Sequence, residues 1–321
     1  MTFSAETNKL KNFSVFFRDC KMCPKQCSVN RMETIGFCGQ SHLLRIAHIG
    51  AHFGEEPPIS GSMGSGAIFF SGCSLGCSFC QNHQISTGNL GKPMEFEELF
   101  IRVEEMISRT RVHNINFVTP DHFFPYTYRL VSFLQKEGYD LPSVYNLSGY
   151  QSIPMLKMTE RYADIYLPDY KYSDPKAAKI LSNCKNYPDV ALYAINEMIK
   201  QKGFLDSFKK NSKLATKGVL VRHLILPGLV KNSLNALTSL FLEFGADLPI
   251  SLMSQYYPVF QHEDKNMNRP LKKEEFDCVY SHAMDLGFKN MFVQIPGNKP
   301  FDTELMFLPD FQMDEPFAGN R

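Results

Sequence analysis

The sequence predicts an α/β protein: a partial, open parallel β/α barrel of six or seven strands, with a small Cys-rich appendage before it. Three observations lead there. From residue 64 to residue 296 short apolar runs alternate with segments of helical apolar spacing, the pattern of a parallel sheet joined by crossover helices. Six or seven such units fall short of the eight that close a barrel. Residues 1–60, by contrast, carry four cysteines and a GEEPP run, a different texture from the rest.

Each element follows from its residues. GSGAIFF (64–70) is a small and apolar run, strand-like. Over 96–109, Phe96, Leu99, Phe100, Val103, Met106 and Ile107 recur at helical spacing. NINFVTP (114–120) reads as a strand ending in a turn, 123–137 as a helix, SVYNLSG (143–149) as a strand and SIPMLKMTER as a short helix. ADIYLPDYK (163–171) is the fourth strand, followed by helical stretches to about 210, and GVLVRHLILPG (218–228) is the fifth. Leu234, Leu237, Leu240, Phe241 and Phe244 mark the next helix. PISLMSQYYP (249–258), a helix near 272–287 and NMFVQIP (290–296) complete the alternation. The expected organisation is therefore an appendage over 1–60, the barrel over 61–298, and a tail over 299–321 that lies across the barrel.

Composition narrows the function. Lys plus Arg number 34 against 33 Asp plus Glu, a formal charge of +1, so no basic surface for nucleic acid is indicated. No apolar run approaches a membrane span, and the start MTFSAETNKLKN is not a signal peptide. A cytoplasmic protein with no membrane partner is expected. In a reducing compartment clustered cysteines bind metal or do chemistry more often than they form disulfides. Seven of the nine cysteines fall in two clusters: Cys20, Cys23, Cys27 and Cys38, then Cys73, Cys77 and Cys80. Cys184 and Cys278 stand alone.

The second cluster, FFSGCSLGCSFCQNH, has the spacing Cys73-x3-Cys77-x2-Cys80 just past the first strand. In parallel α/β architectures chemistry gathers at the C-terminal strand ends. With His83 the three thiols could hold a structural zinc. Three thiolates also suit a 4Fe–4S cube that leaves one iron open. Gly72 and Gly76 let the backbone curl closely around such a cube, and Phe79 would shield it.

C-x3-C-x-aromatic-C after a first strand resembles the signature of radical S-adenosylmethionine enzymes. Within that superfamily the chain is similar to pyruvate formate-lyase activating enzymes, on the runs GEEPPISG, GSGAIFFSGC, CQNHQIS, NINFVTP and LVRHLILPG. The resemblance implies a 4Fe–4S cluster on Cys73, Cys77 and Cys80. Its open iron would chelate S-adenosylmethionine, and reductive cleavage there would yield a 5′-deoxyadenosyl radical. It also implies an electron donor such as flavodoxin or ferredoxin. The activating enzymes' Asp-x-Lys matches Asp169-Tyr170-Lys171, and their arginine before a Val/Ile-rich run matches Arg222-His223. By resemblance Asp169, Lys171 and Arg222 contact S-adenosylmethionine, the cations favouring its carboxylate. Two positions depart from the pattern. Thr119-Pro120-Asp121-His122 stands where many members have Gly-Gly-Glu, leaving Thr119 or Asp121 as acceptors for the amino group. Asn146-Leu147-Ser148-Gly149 replaces an Asp-Thr-Asn-Gly run, so Asn146 and Ser148 lack its carboxylate.

Cys20-x2-Cys23-x3-Cys27-x10-Cys38 offers four thiolates, enough for zinc or for an auxiliary iron–sulfur cluster. Zinc is the plainer expectation, since a small segment with little core gains folding energy from metal; unligated thiols are the third option. His42, His48 and His52 recur around an apolar strand, LLRIAHIG, and read as packing or surface residues. Cys278 lies opposite the apolar face formed by Phe276, Val279, Tyr280 and Ala283. The expected function is abstraction of hydrogen from a substrate, a glycyl-radical enzyme or other protein or peptide, with modification of a small metabolite as the alternative. A non-catalytic electron-transfer or scaffold protein with metal sites is the competing class. No residue is singled out as catalytic beyond the cofactor ligands.

Overall fold

A computed structural model describes residues 13–210, 213–296 and 308–317. Seven parallel strand positions form its spine. They are β2 (Ser65–Phe70), β4 (Ile115–Val118), β5 (Ser143–Leu147), β6 (Ile165–Pro168), the broken strand β7 (Gly218–Val219) and β8 (Val221–Leu224), β9 (Ile250–Met253) and β10 (Met291–Val293). The first sheet runs β3 (Lys92–Pro93), β1 (Arg45–His52), β2, β4, β5, β6, β7 and the second β10-β9-β8. A single bridge, Asp169 to Arg222, carries the pairing across the seam. Among the described residues β10 pairs only with β9, so the array stays open.

Two elements at the other edge run against the expected boundary at residue 60. β1 (Arg45–His52) pairs antiparallel with β2 from Ile46↔Phe70 to His52↔Ser65, and the two-residue β3 (Lys92–Pro93) pairs with β1. Residues 45–52 thus belong to the main sheet. The alternation that marks a half-buried strand is missing from β1, because His48 and His52 pack their rings near Phe69 instead of facing water. Within the tail, 299–307 and 318–321 lie outside the described residues; Phe311 and Phe317 pack on Phe69 at 5.3 Å between ring centroids.

Helices cover the outer face. α1 (Ser14–Arg18), α2 (Pro57–Ser60) and α3 (His83–Ser86) are single turns, and α4 (Phe96–Thr110), α5 (Phe124–Lys136), α6 (Ile153–Thr159), α7 (Pro175–Ser182) and α8 (Tyr187–Lys202) follow. The short α9 (Ser207–Lys210), then α10 (Val230–Phe244) and α11 (Lys273–Leu286), complete the chain of helices. α4 buries Phe96, Leu99, Phe100, Val103, Met106 and Ile107, one stripe at the 3.6-residue period. β2, β4 and β6 are buried at every position, which is why they read as unbroken apolar runs. At the sheet's centre Phe117 packs with tilted rings against Phe70 and Tyr145, with ring centroids 6.4 and 5.0 Å away. Phe117→Ala should lower unfolding free energy by about 3–5 kcal/mol, the cost of a large aromatic cavity in a packed core; denaturant titration that finds less than about 1 kcal/mol would contradict this packing.

Candidate active site

The Cys loop leaves β2 through Ser71 and Gly72. Gly72 has φ of +87°, and a Cβ there would stand 2.6 Å from the Cys38 carbonyl, so only glycine lets the loop lie against the N-terminal segment. The next amide, Cys73 N–H, donates to that same carbonyl at 3.2 Å. Sulfur in the loop already receives donors: Leu75 N–H to Cys73 Sγ at 3.3 Å, and Ser182 Oγ–H to Cys77 Sγ at 3.0 Å. Burial pushes the Cys77 thiol up to about 11 and Cys73 higher still, so ligation by a cation is what would hold them as thiolates.

One cavity gathers most of the expected residues. Cys73, Cys77, Phe79 and Cys80 line it together with Thr119, Asn146, Ser148, Asp169, Lys171 and Arg222. Thr119, Asn146, Ser148, Asp169 and Lys171 sit at or just past the C-terminal ends of β4, β5 and β6, as the parallel topology requires, and Arg222 is the second residue of β8. Thr119 takes a left-handed φ of +55° there, a backbone conformation that costs energy for a β-branched residue and clusters at functional positions. Gly149 closes the turn after β5: a Cβ would meet the Asp169 carbonyl at 2.0 Å. The Tyr187 hydroxyl lies 2.8 Å from the Ser148 and Asp169 carbonyls, sharing its proton between them, and accepts from Lys171 N–H at 3.0 Å. These bonds lock the ends of β5 and β6 together.

The charges are paired. Lys171 Nζ donates to Asp169 Oδ2 at 2.5 Å. Burial works against the Lys171 charge, yet Asp169 and Cys77 outweigh it and hold the ammonium protonated. Arg222 donates through Nε to Glu56 Oε1 at 2.9 Å and through Nη2 to Glu56 Oε2 and Glu55 Oε2. Asn116 Nδ2 donates to the other Glu55 oxygen at 2.8 Å. Asp169, Lys171 and Arg222 line the cavity with the thiols, while Glu55 and Glu56, which hold Arg222, line an adjoining one.

Two expected cofactor residues do not line the cavity. Asp121 is buried behind the Cys loop, accepting from Gln151 Nε2 at 2.8 Å and from Ser74 Oγ at 3.4 Å. His223 points the other way from its neighbour in the strand and donates from Nδ1 to the Tyr170 carbonyl at 2.6 Å. The GEEPPISG run entered the sequence reading only through the resemblance, with no role for Glu55 or Glu56, and Gln81, Asn82, Met253, Gln255, Tyr256 and Tyr257 on the cavity wall were passed over. For Met253 through Tyr257 the signal was available, since they end the strand-like run PISLMSQYYP.

The N-terminal cysteines lie close by. Cys20, Cys23 and Cys38 are buried and Cys27 is half-buried. Among the described residues no three His, Cys, Asp or Glu side chains converge tightly enough to share one metal ion, in either cysteine set.

A family model for a 4Fe-4S single cluster domain matches residues 60–167, the segment that holds Cys73, Cys77 and Cys80. An uncharacterized protein of Methanocaldococcus jannaschii is 28% identical over 274 residues, covering 81% of this chain and 73% of the relative. Among solved structures, anSMEcpe with bound AdoMet and Kp18Cys peptide superposes with a TM-score of 0.49 at 11% identity, covering 69% of this chain and 60% of that one. A domain of pyruvate-formate lyase-activating enzyme from Bacteroides vulgatus gives 0.34 at 14% identity, over 53% of this chain and 92% of that one. HydG, a maturase of the FeFe-hydrogenase, gives 0.45 at 14% identity, over 74% and 52%. At these identities and at TM-scores below 0.5 the likeness carries no argument about activity. No helix of the described residues is long and apolar enough to cross a membrane.

Asp121 gives the site a pH signature. Burial raises its carboxyl to about 7 from an ordinary 3.8, against the hydrogen bonds from Gln151 and Ser74. A group raised on folding contributes fully below the unfolded pKa and loses that contribution as pH climbs through the folded one. Between pH 4 and pH 8 the protein should therefore lose about 4 kcal/mol relative to Asp121→Asn. Urea unfolding of both at the two pH values measures it, and parallel curves would show that Asp121 titrates normally.

Proposed function

We propose that the chain is a radical S-adenosylmethionine enzyme, and the observation that carries this is the single cavity joining three thiols to Asn146, Ser148, Asp169, Lys171 and Arg222 at the strand ends. The donor set fits a 4Fe–4S cluster: three sulfurs on one loop, two of them receiving hydrogen bonds, and glycine where the backbone must curl. Cys73, Cys77 and Cys80 would hold the cluster, and with S-adenosylmethionine bound it would supply one-electron cleavage to a 5′-deoxyadenosyl radical.

The protein's own residues prepare the cavity for such a ligand. With Glu55 and Glu56 of the adjoining cavity, three carboxylates stand against Lys171 and Arg222, a balance that suits S-adenosylmethionine, whose sulfonium and ammonium outweigh its carboxylate. Lys171, beside Cys77, is placed to offset thiolate charge and to attract a carboxylate, while Asn146, Ser148 and Thr119 offer neutral hydrogen-bonding groups. Arg222, already held by two carboxylates, is a support for the wall more than a receptor. Phe79, Leu224, Met253 and Tyr256 exclude water, as radical chemistry needs. The four N-terminal thiols would form a second metal site, and a flavodoxin or ferredoxin would supply the electron.

The substrate reading follows from openness. The array does not close, and a second cavity lined by His52, Glu55, Glu56, Phe69 and Phe317 shares Asn146, Arg222, Met253 and Gln255 with the first. An extended loop or peptide can approach from that side, which favours a protein or peptide substrate such as a glycyl-radical enzyme. Anaerobic reconstitution, reduction and assay for 5′-deoxyadenosine test the proposal. Replacing Cys73, Cys77 or Cys80 with Ala should reduce formation to background, and Lys171→Ala should raise the KM for S-adenosylmethionine. Turnover retained in any cysteine variant rejects the ligand assignment. A glycyl doublet on an added partner supports the protein substrate, whereas 5′-deoxyadenosine release driven by a small metabolite replaces it.

A further inference from the structure

The chain brings one of its own segments to the second cavity. Residues 308–317, LPDFQMDEPF, return to the ends of β2 and β4, where Phe311 joins Phe69, Ile85 and Val118 in one apolar cluster and Phe317 packs on it. The Phe317 ring lies 4.4 Å from His52 and lines the cavity with it. Gln84 grips the other end of the segment. Its Oε1 accepts from Phe311 N–H at 2.7 Å and its Nε2 donates to Asp310 Oδ1 at 3.1 Å. Gln84 stands four residues past Cys80, so this grip belongs to the continuation of the thiol loop. The segment docks as a folded turn: Asp310 N–H donates to the Pro316 carbonyl and Met313 N–H to the Asp310 carbonyl, both at 3.0 Å. That turn brings the Phe311 and Phe317 rings within 6.0 Å of each other, edge to face. Residues 312–315 between them are exposed, and a short segment with so few buried side chains opens at low free energy.

We propose that this cleft is a peptide-binding site for an aromatic–turn–aromatic segment and that residues 308–317 are its resident, displaceable occupant. This deepens the peptide reading of the same site and rests on that reading for what displaces the segment. The ligand class follows from how the occupant is held. A side-chain acceptor directly before an aromatic residue presents an oxygen and a backbone N–H to the two ends of the Gln84 amide. A second aromatic ring, six positions on, takes the seat between His52 and Phe69. That seat adjoins the thiols, because its cavity shares Asn146, Arg222, Met253 and Gln255 with theirs. A tethered occupant holds its seat through effective concentration alone, about 1 mM on a flexible link. A substrate segment therefore competes with the chain's own end for the approach to the cofactor cavity.

Binding of a labelled peptide of residues 308–317 reads the site without metal, cofactor or turnover. In the full-length Phe311→Ala/Phe317→Ala variant the tethered segment has lost both rings. This variant should bind the peptide with a Kd of about 0.1 mM or tighter, as about nine-tenths occupancy by a tethered segment requires. Wild type should bind it about tenfold more weakly, because its own segment competes. Peptide carrying Phe317→Ala should lose at least about tenfold on the variant, since a seated aromatic ring dominates a contact of this size. Equal binding to wild type and variant would place the peptide elsewhere, and no binding to the variant would remove the site; either result overturns the proposal. If the double variant does not fold, a chain ending at residue 307 gives the same comparison. Failure of both to fold would make the segment an obligatory part of the core, which overturns its displacement. Absence of 5′-deoxyadenosine formation would sink the enzyme reading and leave this binding standing, so the two fail separately.

Discussion

Buried between Glu55 and Glu56, Arg222 ties the loop after β1 to the first strand of the second sheet. Its residue is also the partner of Asp169 in the one bridge that spans the two sheets, and its carbonyl accepts from Tyr170 N–H at 2.8 Å. Removing one partner of such a cluster leaves a buried charge uncompensated, worth about 3–5 kcal/mol. The geometry of the strand ends depends on this clasp. It sets how far β6 and β8 stand apart, and so where Asp169 and Lys171 meet the thiol loop. Burial opposes the Arg222 charge, but Glu56 and Glu55 more than compensate and keep it cationic.

From that seam the rest of the site follows by topology. Parallel strands deliver their C-terminal ends to one edge, and the loop after β2 delivers three thiols to the same edge. Asp121 braces the loop from behind: Ser74 lies between Cys73 and Cys77, and Gln151, the other donor to Asp121, also reaches Ser148 Oγ at 3.3 Å. Asp121, which the resemblance offered with Thr119 as an acceptor for the ligand's amino group, thus contacts the loop and the turn after β5 instead. His122 beside it is held neutral, its ring pushed down to about 3 by burial and by the nearby Arg31 charge, and it donates from Nε2 to the Ser71 carbonyl.

Elements whose burial is one-sided or complete were legible in the sequence. The six apolar positions between Phe96 and Ile107 are the six that α4 buries, and Cys278, placed opposite the apolar face of α11, is exposed. β2 and β4 were legible because burial on both faces leaves unbroken apolar runs. β1 was legible as the apolar run LLRIAHIG, but its antiparallel place in the main sheet was not, since its partners lie across the sheet. The cavity was legible at the thiol loop, Asp169, Lys171 and Arg222, because strand-end position and local motif coincide there. The Glu55–Arg222 contact spans 167 residues and the Arg31–His122 contact spans 91, and no local periodicity encodes either. Burial of Asp121 is likewise a tertiary fact, set by Ser74 and Gln151 rather than by the turn that carries it.

The central claim is that Cys73, Cys77 and Cys80 leave one iron open to a ligand seated against Lys171 and Asn146. Electron–nuclear double resonance on the reduced protein with S-adenosylmethionine labelled by nitrogen-15 at its amino group tests that claim most directly. The expected result is a hyperfine coupling between the label and the cluster, lost in the Cys73→Ala/Cys77→Ala/Cys80→Ala variant. A reduced cluster whose spectrum shows no coupling to the label at saturating ligand would contradict it.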